Sequence, residues 1–138
     1  MTEARAFPIQ TLMLIDDSEI DQMIYLRIAK KSGLVGDMVQ FLDATEALRY
    51  LEQGDQSKPD LILLDINMPG MDGFEFLREA TKLLGASLCP IVVMLTTSLN
   101  PEDEVRARAF DVVKDFLNKP LTADQLASLS QLVRRQAA

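Results

Sequence analysis

Five short apolar runs punctuate the chain: TLMLI (11–15), MVQFL (38–42), DLILL (60–64), IVVML (91–95) and VVKDFL (112–117). Most are too short to be buried helices, and they are rich in Leu, Ile and Val, so the pattern predicts strands. Three of them are almost continuously apolar. That is the signature of a parallel sheet covered on both faces, where neither side of a strand meets water.

The stretches between the runs carry helical signals. Ser18 is placed to cap a helix reaching about Ser32 and closed by Gly33, with Ile20, Ile24 and Ile28 as its expected inward stripe. A shorter helix is predicted over roughly 44 to 53, with Ala44, Ala47, Leu48 and Leu51 inward and Gly54 as its stop. Asp72 followed by Glu75 has capping-box spacing and opens a helix to about Leu84. Asn100 then Pro101 reads as a cap with proline at the first helical position, and Glu102, Asp103 and Glu104 suit the positive end of that helix. Thr122 with Gln125 is a second capping box, starting a last helix that turns Leu126, Leu129 and Val133 to one side.

The order is βαβαβαβαβα, which predicts an α/β fold: a doubly wound, five-stranded parallel sheet with right-handed crossovers. No repeat, linker or low-complexity tract interrupts it. The pattern is spent at the last helix, so no attached output domain is expected.

Open parallel sheets bind ligands beyond the carboxyl ends of their strands, which directs attention to the residue after each apolar run. Asp16 and Asp17 follow the first, Asp65 the third, Thr96 and Thr97 the fourth, and Lys119 with Pro120 the fifth. If the sheet forms, three carboxylates, a hydroxyl and an ammonium meet on one edge. Three ionised carboxylates in a partly dry site raise each other's pKa. Lys119 offsets one charge and a divalent cation offsets more. An all-oxygen ligand set favours Mg²⁺, which takes one or two carboxylates together with phosphate oxygens. Metal, lysine and threonine hydroxyl could then hold a phosphoryl group, with one of the aspartates as the nucleophile that forms an aspartyl phosphate. Taken singly, each residue has a plainer reading, as a helix cap, a strand threonine or a solvated lysine; the coincidence at four strand ends is what points to a site.

Composition narrows the field. The chain has 138 residues, one domain's length, with 48% hydrophobic and 25% charged residues. Its net charge of −7 argues against nucleic acid as a direct ligand. The absence of histidine excludes histidine-based catalysis, histidine metal ligands and a phosphohistidine on this chain. Cys89 stands alone, which excludes an intramolecular disulfide and suits a reducing cytosol; beside an apolar run it reads as a small buried hydrophobe. No apolar stretch approaches membrane-spanning length, and MTEARAFPIQ has no signal-peptide core. A cytoplasmic location without membrane insertion is expected.

The blocks LIDDS, LILLDINMPGMDGFEFL, VVMLTTS and DFLNKPLT, in this order and at this spacing, resemble the signature blocks of the response-regulator receiver domain of two-component signalling. The likeness covers roughly residues 10 to 135, leaving 1–9 as an N-terminal extension, and is to single-domain members similar to the chemotaxis regulator. It implies a flavodoxin-like (βα)5 fold with strand order 2-1-3-4-5. It implies that Asp65 is the phosphoacceptor and that Asp16 and Asp17 form the acidic pair. Mg²⁺ would contact Asp17 and Asp65 directly, Asp16 through water, and the backbone carbonyl of Asn67. It makes Thr96 the switch hydroxyl, Phe116 the switch aromatic and Lys119 the phosphate-binding cation. The implied donor is a phosphohistidine on a sensor histidine kinase or histidine phosphotransfer protein, and the implied reader a separate downstream target protein. Beyond its own phosphotransfer and autodephosphorylation, such a chain is not an enzyme. One segment departs from the family: Val112 and Val113 stand where Gly-Ala is common.

Three other readings compete. A hydrolase with an aspartyl-phosphate intermediate, similar to haloacid-dehalogenase phosphatases, needs an Asp two residues after its nucleophile; Asn67 cannot move a proton there. A receiver-like adaptor that is never phosphorylated would not need the full set of site residues. A flavin-binding relative would need a Ser/Thr- and Gly-rich loop after the first strand, where Asp16 and Asp17 would repel a phosphate.

Overall fold

In a computed structural model, residues 7–53, 58–85 and 91–137 are described. Five strands alternate with five helices: β1 (Ile9–Ile15), α1 (Glu19–Ser32), β2 (Val35–Phe41), α2 (Ala44–Glu52), β3 (Leu61–Leu64), α3 (Gly73–Leu84), β4 (Val92–Thr96), α4 (Pro101–Arg108), β5 (Val113–Asn118) and α5 (Ala123–Ala137). All pairings are parallel and the sheet order is β2-β1-β3-β4-β5. This is the expected flavodoxin-like arrangement. β1 and β3 lie inside the sheet, and every residue of β3 is buried.

Two apolar layers enclose the sheet because strand side chains alternate between its faces. On one face Met13, Ile15, Ile62, Leu64, Val92 and Met94 pack with Phe74, Phe76 and Leu77 of α3. On the other, Leu12, Leu14, Leu61, Leu63, Val93 and Leu95 pack with Tyr25 and Ala29 of α1 and with Leu126, Leu129 and Val133 of α5. The α5 stripe is thus the one the spacing predicts. Ala44 and Ala47 of α2 are buried, with Leu48 and Leu51 half-buried against the same layer.

The local end signals hold. The Ser18 hydroxyl accepts from the Asp21 N–H, and Gly33 closes α1 at φ 70°, a left-handed conformation that glycine adopts without strain. Asp72 and Glu75 form the reciprocal capping box. Thr122 and Gln125 form another, with bonds of 3.1 and 3.0 Å. The Asn100 side chain accepts from the Glu102 N–H ahead of Pro101.

The inward stripe of α1 is different from the expected one. Ile20 and Ile24 are 70% and 44% exposed, whereas Gln22, Tyr25 and Ala29 face the sheet. Only Ile28 of the predicted stripe packs on the core. Gln22 turns the helix this way by donating to the carbonyls of Asp16 (3.0 Å) and Phe41 (2.8 Å) at the strand ends. β2 also begins earlier than the apolar run suggests, at Val35, and β1 begins at Ile9, inside the segment expected as an extension. Ile9 is fully buried, and its N–H donates to the Leu34 carbonyl at 2.9 Å. Gly54 and Cys89 lie outside the described residues.

One glycine sets the distance between α3 and the end of β3. A Cβ on Gly73 would stand 2.5 Å from the Asp65 carbonyl oxygen and 3.0 Å from Ile66 Cα. Both are backbone atoms held in the centre of the fold, so neither can yield cheaply. Gly73→Ala is expected to lower stability by about 2 kcal/mol, read as a lower urea midpoint; an unchanged midpoint would show that α3 shifts freely.

Candidate functional site

The C-terminal edge of the sheet gathers the polar residues. The Asp65 N–H donates to the Ile15 carbonyl (3.0 Å) and the Asp16 N–H to the Phe41 carbonyl (3.1 Å), so the parallel ladders continue one residue past the strands and bring the two aspartates side by side. Gln22 braces the same rim, and its Oε1 accepts from the Gln40 Nε2 at 2.8 Å. The Ser18 N–H donates to Asp16 Oδ1 at 2.9 Å, which folds the chain sharply after Asp16 and leaves Asp17 exposed. Asp16, Asp17 and Asp65 each offer a carboxylate oxygen, all within 4.8 Å of one another. Hard divalent cations collect such oxygens, and the donor set fits one.

Lys119 enters from the end of β5. Its N–H donates to the Thr96 carbonyl at 2.8 Å, tying the tips of β4 and β5 together; the Lys119–Pro120 peptide is cis. The side chain is 10% exposed, and its Nζ lies 2.7 Å from Asp16 Oδ2, 2.9 Å from Asp21 Oδ2 and 3.5 Å from Asp65 Oδ2. The bond to Asp21 is well directed. Asp16 Oδ2 is fully buried and close to the ammonium, yet among the described residues no donor is aligned on it, so that contact is an ion pair. Burial alone would lower the pKa of Lys119; the contacts with Asp16 and Asp21, and the charge of Asp65, outweigh it and hold the pKa above the usual lysine range.

Asp65 goes the opposite way for a carboxylate. Burial pushes its pKa up to about 6, and the charges of Asp16 and Asp17 add to the rise. Lys119 and a hydrogen bond donated by the Asn67 backbone N–H oppose it. Thr96 ends β4 fully buried, and its Oγ1 accepts from the Ser98 N–H at 3.1 Å. Phe116 sits within β5 opposite Met94, half-buried against the core.

Asp16, Asp17, Asp65 and Lys119 therefore form one constellation, Thr96 and Asn67 lie on the same edge, and Phe116 stands two residues before the end of β5. Asp21 is the member that sequence reasoning missed. It is 98 residues from Lys119, and locally it looks like any acidic residue in a first helical turn.

The family model for the response regulator receiver domain matches residues 12–131. The chain belongs to the response regulator receiver family. This receiver domain is 32% identical over 128 residues to the response regulator Rcp1 of Synechocystis, covering 90% of this chain and 86% of that one. A crystal structure of the Mn²⁺-bound form of Rcp1 superimposes with a TM-score of 0.72 at 29% identity, covering 91% of this chain and 90% of that one. A two-component response regulator from Cytophaga hutchinsonii gives a TM-score of 0.84 at 30% identity, covering 92% and 98%. The phosphorylated cyanobacterial phytochrome response regulator RcpA gives 0.72 at 30% identity, covering 91% and 89%. The receiver domain is thus a signalling module of the two-component type. Among its described residues no helix is long and apolar enough to cross a membrane.

Proposed function

We propose that the receiver domain accepts a phosphoryl group on Asp65 from a phosphohistidine of a sensor histidine kinase or histidine phosphotransfer protein, and passes the signal to a separate target protein. The observation that carries this reading is the position of the Asp65 carboxylate, buried on the sheet edge between a lysine ammonium at 3.5 Å and two further carboxylates. A carboxylate kept there against its own desolvation, beside a cation and two like charges, has the environment of a functional group.

In the transfer, an Asp65 oxygen forms a bond to phosphorus as the P–N bond to the donor imidazole breaks. The electron pair leaves with the imidazole nitrogen, which takes a proton from solvent. Lys119 meets charge on the phosphoryl oxygens, and the Asn67 N–H holds the carboxylate in line. Asp16, Asp17, Asp65 and the backbone carbonyl of Asn67 would hold Mg²⁺, which supplies charge neutralisation when bound. The Thr96 Oγ1 accepts the Ser98 N–H, so its hydroxyl proton remains to be donated to a phosphoryl oxygen. A shift of Thr96 toward that oxygen would free space beside β4 for the ring of Phe116. The surface of α4, β5 and α5 would then change by a population shift between two states. Asn67 leaves no general acid or base two residues beyond Asp65, which favours one modification per chain over the multiple turnovers of a hydrolase.

Incubation with a small phosphoramidate donor tests the reading. One acyl phosphate per chain, labile to hydroxylamine, is expected with Mg²⁺ and is lost with EDTA. Asp17→Asn is expected to weaken Mg²⁺ binding at least about tenfold. Labelling that proceeds equally in EDTA would contradict the assignment.

A further inference from the structure

We infer that Asp21 is a counter-anchor for Lys119, holding the ammonium in the unphosphorylated protein and surrendering it when a phosphoryl group occupies Asp65. The inference rests on the phosphoacceptor reading of Asp65 and adds a residue that sets how readily the site fills. Asp21 lies outside the cluster of three metal-seeking carboxylates, so its role is separate from theirs.

An ammonium has three N–H donors, and Lys119 faces three carboxylates. The 2.9 Å bond to Asp21 is well directed, whereas Asp65 at 3.5 Å is beyond direct hydrogen-bond range. Phosphoryl oxygens on Asp65 would bring new, more highly charged acceptors to the same ammonium and draw it away from the carboxylates it now touches. Asp16 cannot yield cheaply. Its side chain is 1% exposed and no donor among the described residues is aligned on its Oδ2, so losing the nearby lysine charge costs more at this buried oxygen than at Asp21. Asp21 is 28% exposed and sits in the first turn of α1. Water and the positive end of that helix can stabilise its carboxylate once the lysine leaves. The exchange therefore runs between Asp21 and the phosphoryl group: the more firmly Asp21 holds Lys119, the weaker the site's grip on a phosphoryl group. Asp21 is a positioning residue that acts through Lys119.

Binding of beryllofluoride, an acyl-phosphate mimic, to the full chain in Mg²⁺ tests this by calorimetry at near-physiological ionic strength. Asp21→Asn is expected to bind beryllofluoride about fivefold more tightly than the parent protein. Asp21→Ser, which keeps a small polar group in the first turn, is expected to shift the same way and covers a folding failure of the first variant. Mg²⁺ alone should bind both variants within about twofold of the parent, since Asp21 is only a screened neighbour of the metal ligands. A merely structural Asp21 would leave beryllofluoride affinity unchanged or lower it. Either result in each variant that folds, with the parent binding normally, overturns the inference, as does a tightening matched by an equal tightening for Mg²⁺. Failure of the parent to bind beryllofluoride at all would overturn the phosphoacceptor reading itself, and this inference with it.

Discussion

Lys119→Met is expected to lower the unfolding free energy by about 3 kcal/mol at neutral pH in EDTA. Methionine is close to the lysine stem in volume, so the loss comes from charge and not from a cavity. In the parent protein the ammonium stands among Asp16, 1% exposed, Asp65, 8% exposed, and Asp21. Without it, two buried carboxylates face each other uncompensated. The deficit is expected to shrink as pH falls and Asp65 takes up a proton, and also as Mg²⁺ is added, because a bound cation stabilises the native state by mass action. Urea unfolding across pH measures it. A loss under about 1 kcal/mol at pH 7 would mean that solvent, and not Lys119, compensates the acidic cluster.

The second large effect has the opposite sign. Asp65→Asn is expected to abolish phosphoryl uptake and, in EDTA at pH 7, to raise stability by about 2 kcal/mol. The native pKa of Asp65 is raised from 3.8 to about 6, first by burial. The fold therefore prefers the protonated carboxyl. That stability is fully present below about pH 4 and is lost as pH rises through about 6. The asparagine amide carries no charge to desolvate, and its oxygen can still accept from the Asn67 N–H. The difference between variant and parent should vanish toward pH 4 and widen to a plateau above pH 7. A variant that is less stable than the parent at pH 7 would show that the ionised Asp65 holds the rim together and does not strain it.

Much of this arrangement was legible because its signals are local. The buried β3 run, the Asp72–Glu75 and Thr122–Gln125 boxes, and proline after Asn100 each declare an element within a few residues. The edge site followed from them, since parallel strands deliver the residue after each run to one rim, as Asp16, Asp65 and Lys119 now do. The illegible parts depend on distant partners. An isoleucine spacing of four fits the helical period, so Ile20 and Ile24 looked inward; the carbonyls that draw Gln22 to the sheet belong to two strand ends and leave no trace beside Gln22 itself. Gly36 and Asp37 hid the start of β2, because an edge strand tolerates polar and small residues facing water. Asp21 could not be matched to Lys119 until the first and last thirds of the chain were folded together.

The central claim is that Asp65, among the acidic residues at this rim, carries the phosphoryl group. Borohydride reduction after transfer from a phosphohistidine donor, followed by peptide mass mapping, tests it most directly, because reduction converts an aspartyl phosphate to homoserine at the modified position. Homoserine at residue 65 alone, absent when EDTA replaces Mg²⁺, is the predicted result. Homoserine at residue 16 or 17, or phosphate that survives on Thr96 or Ser98, would contradict it.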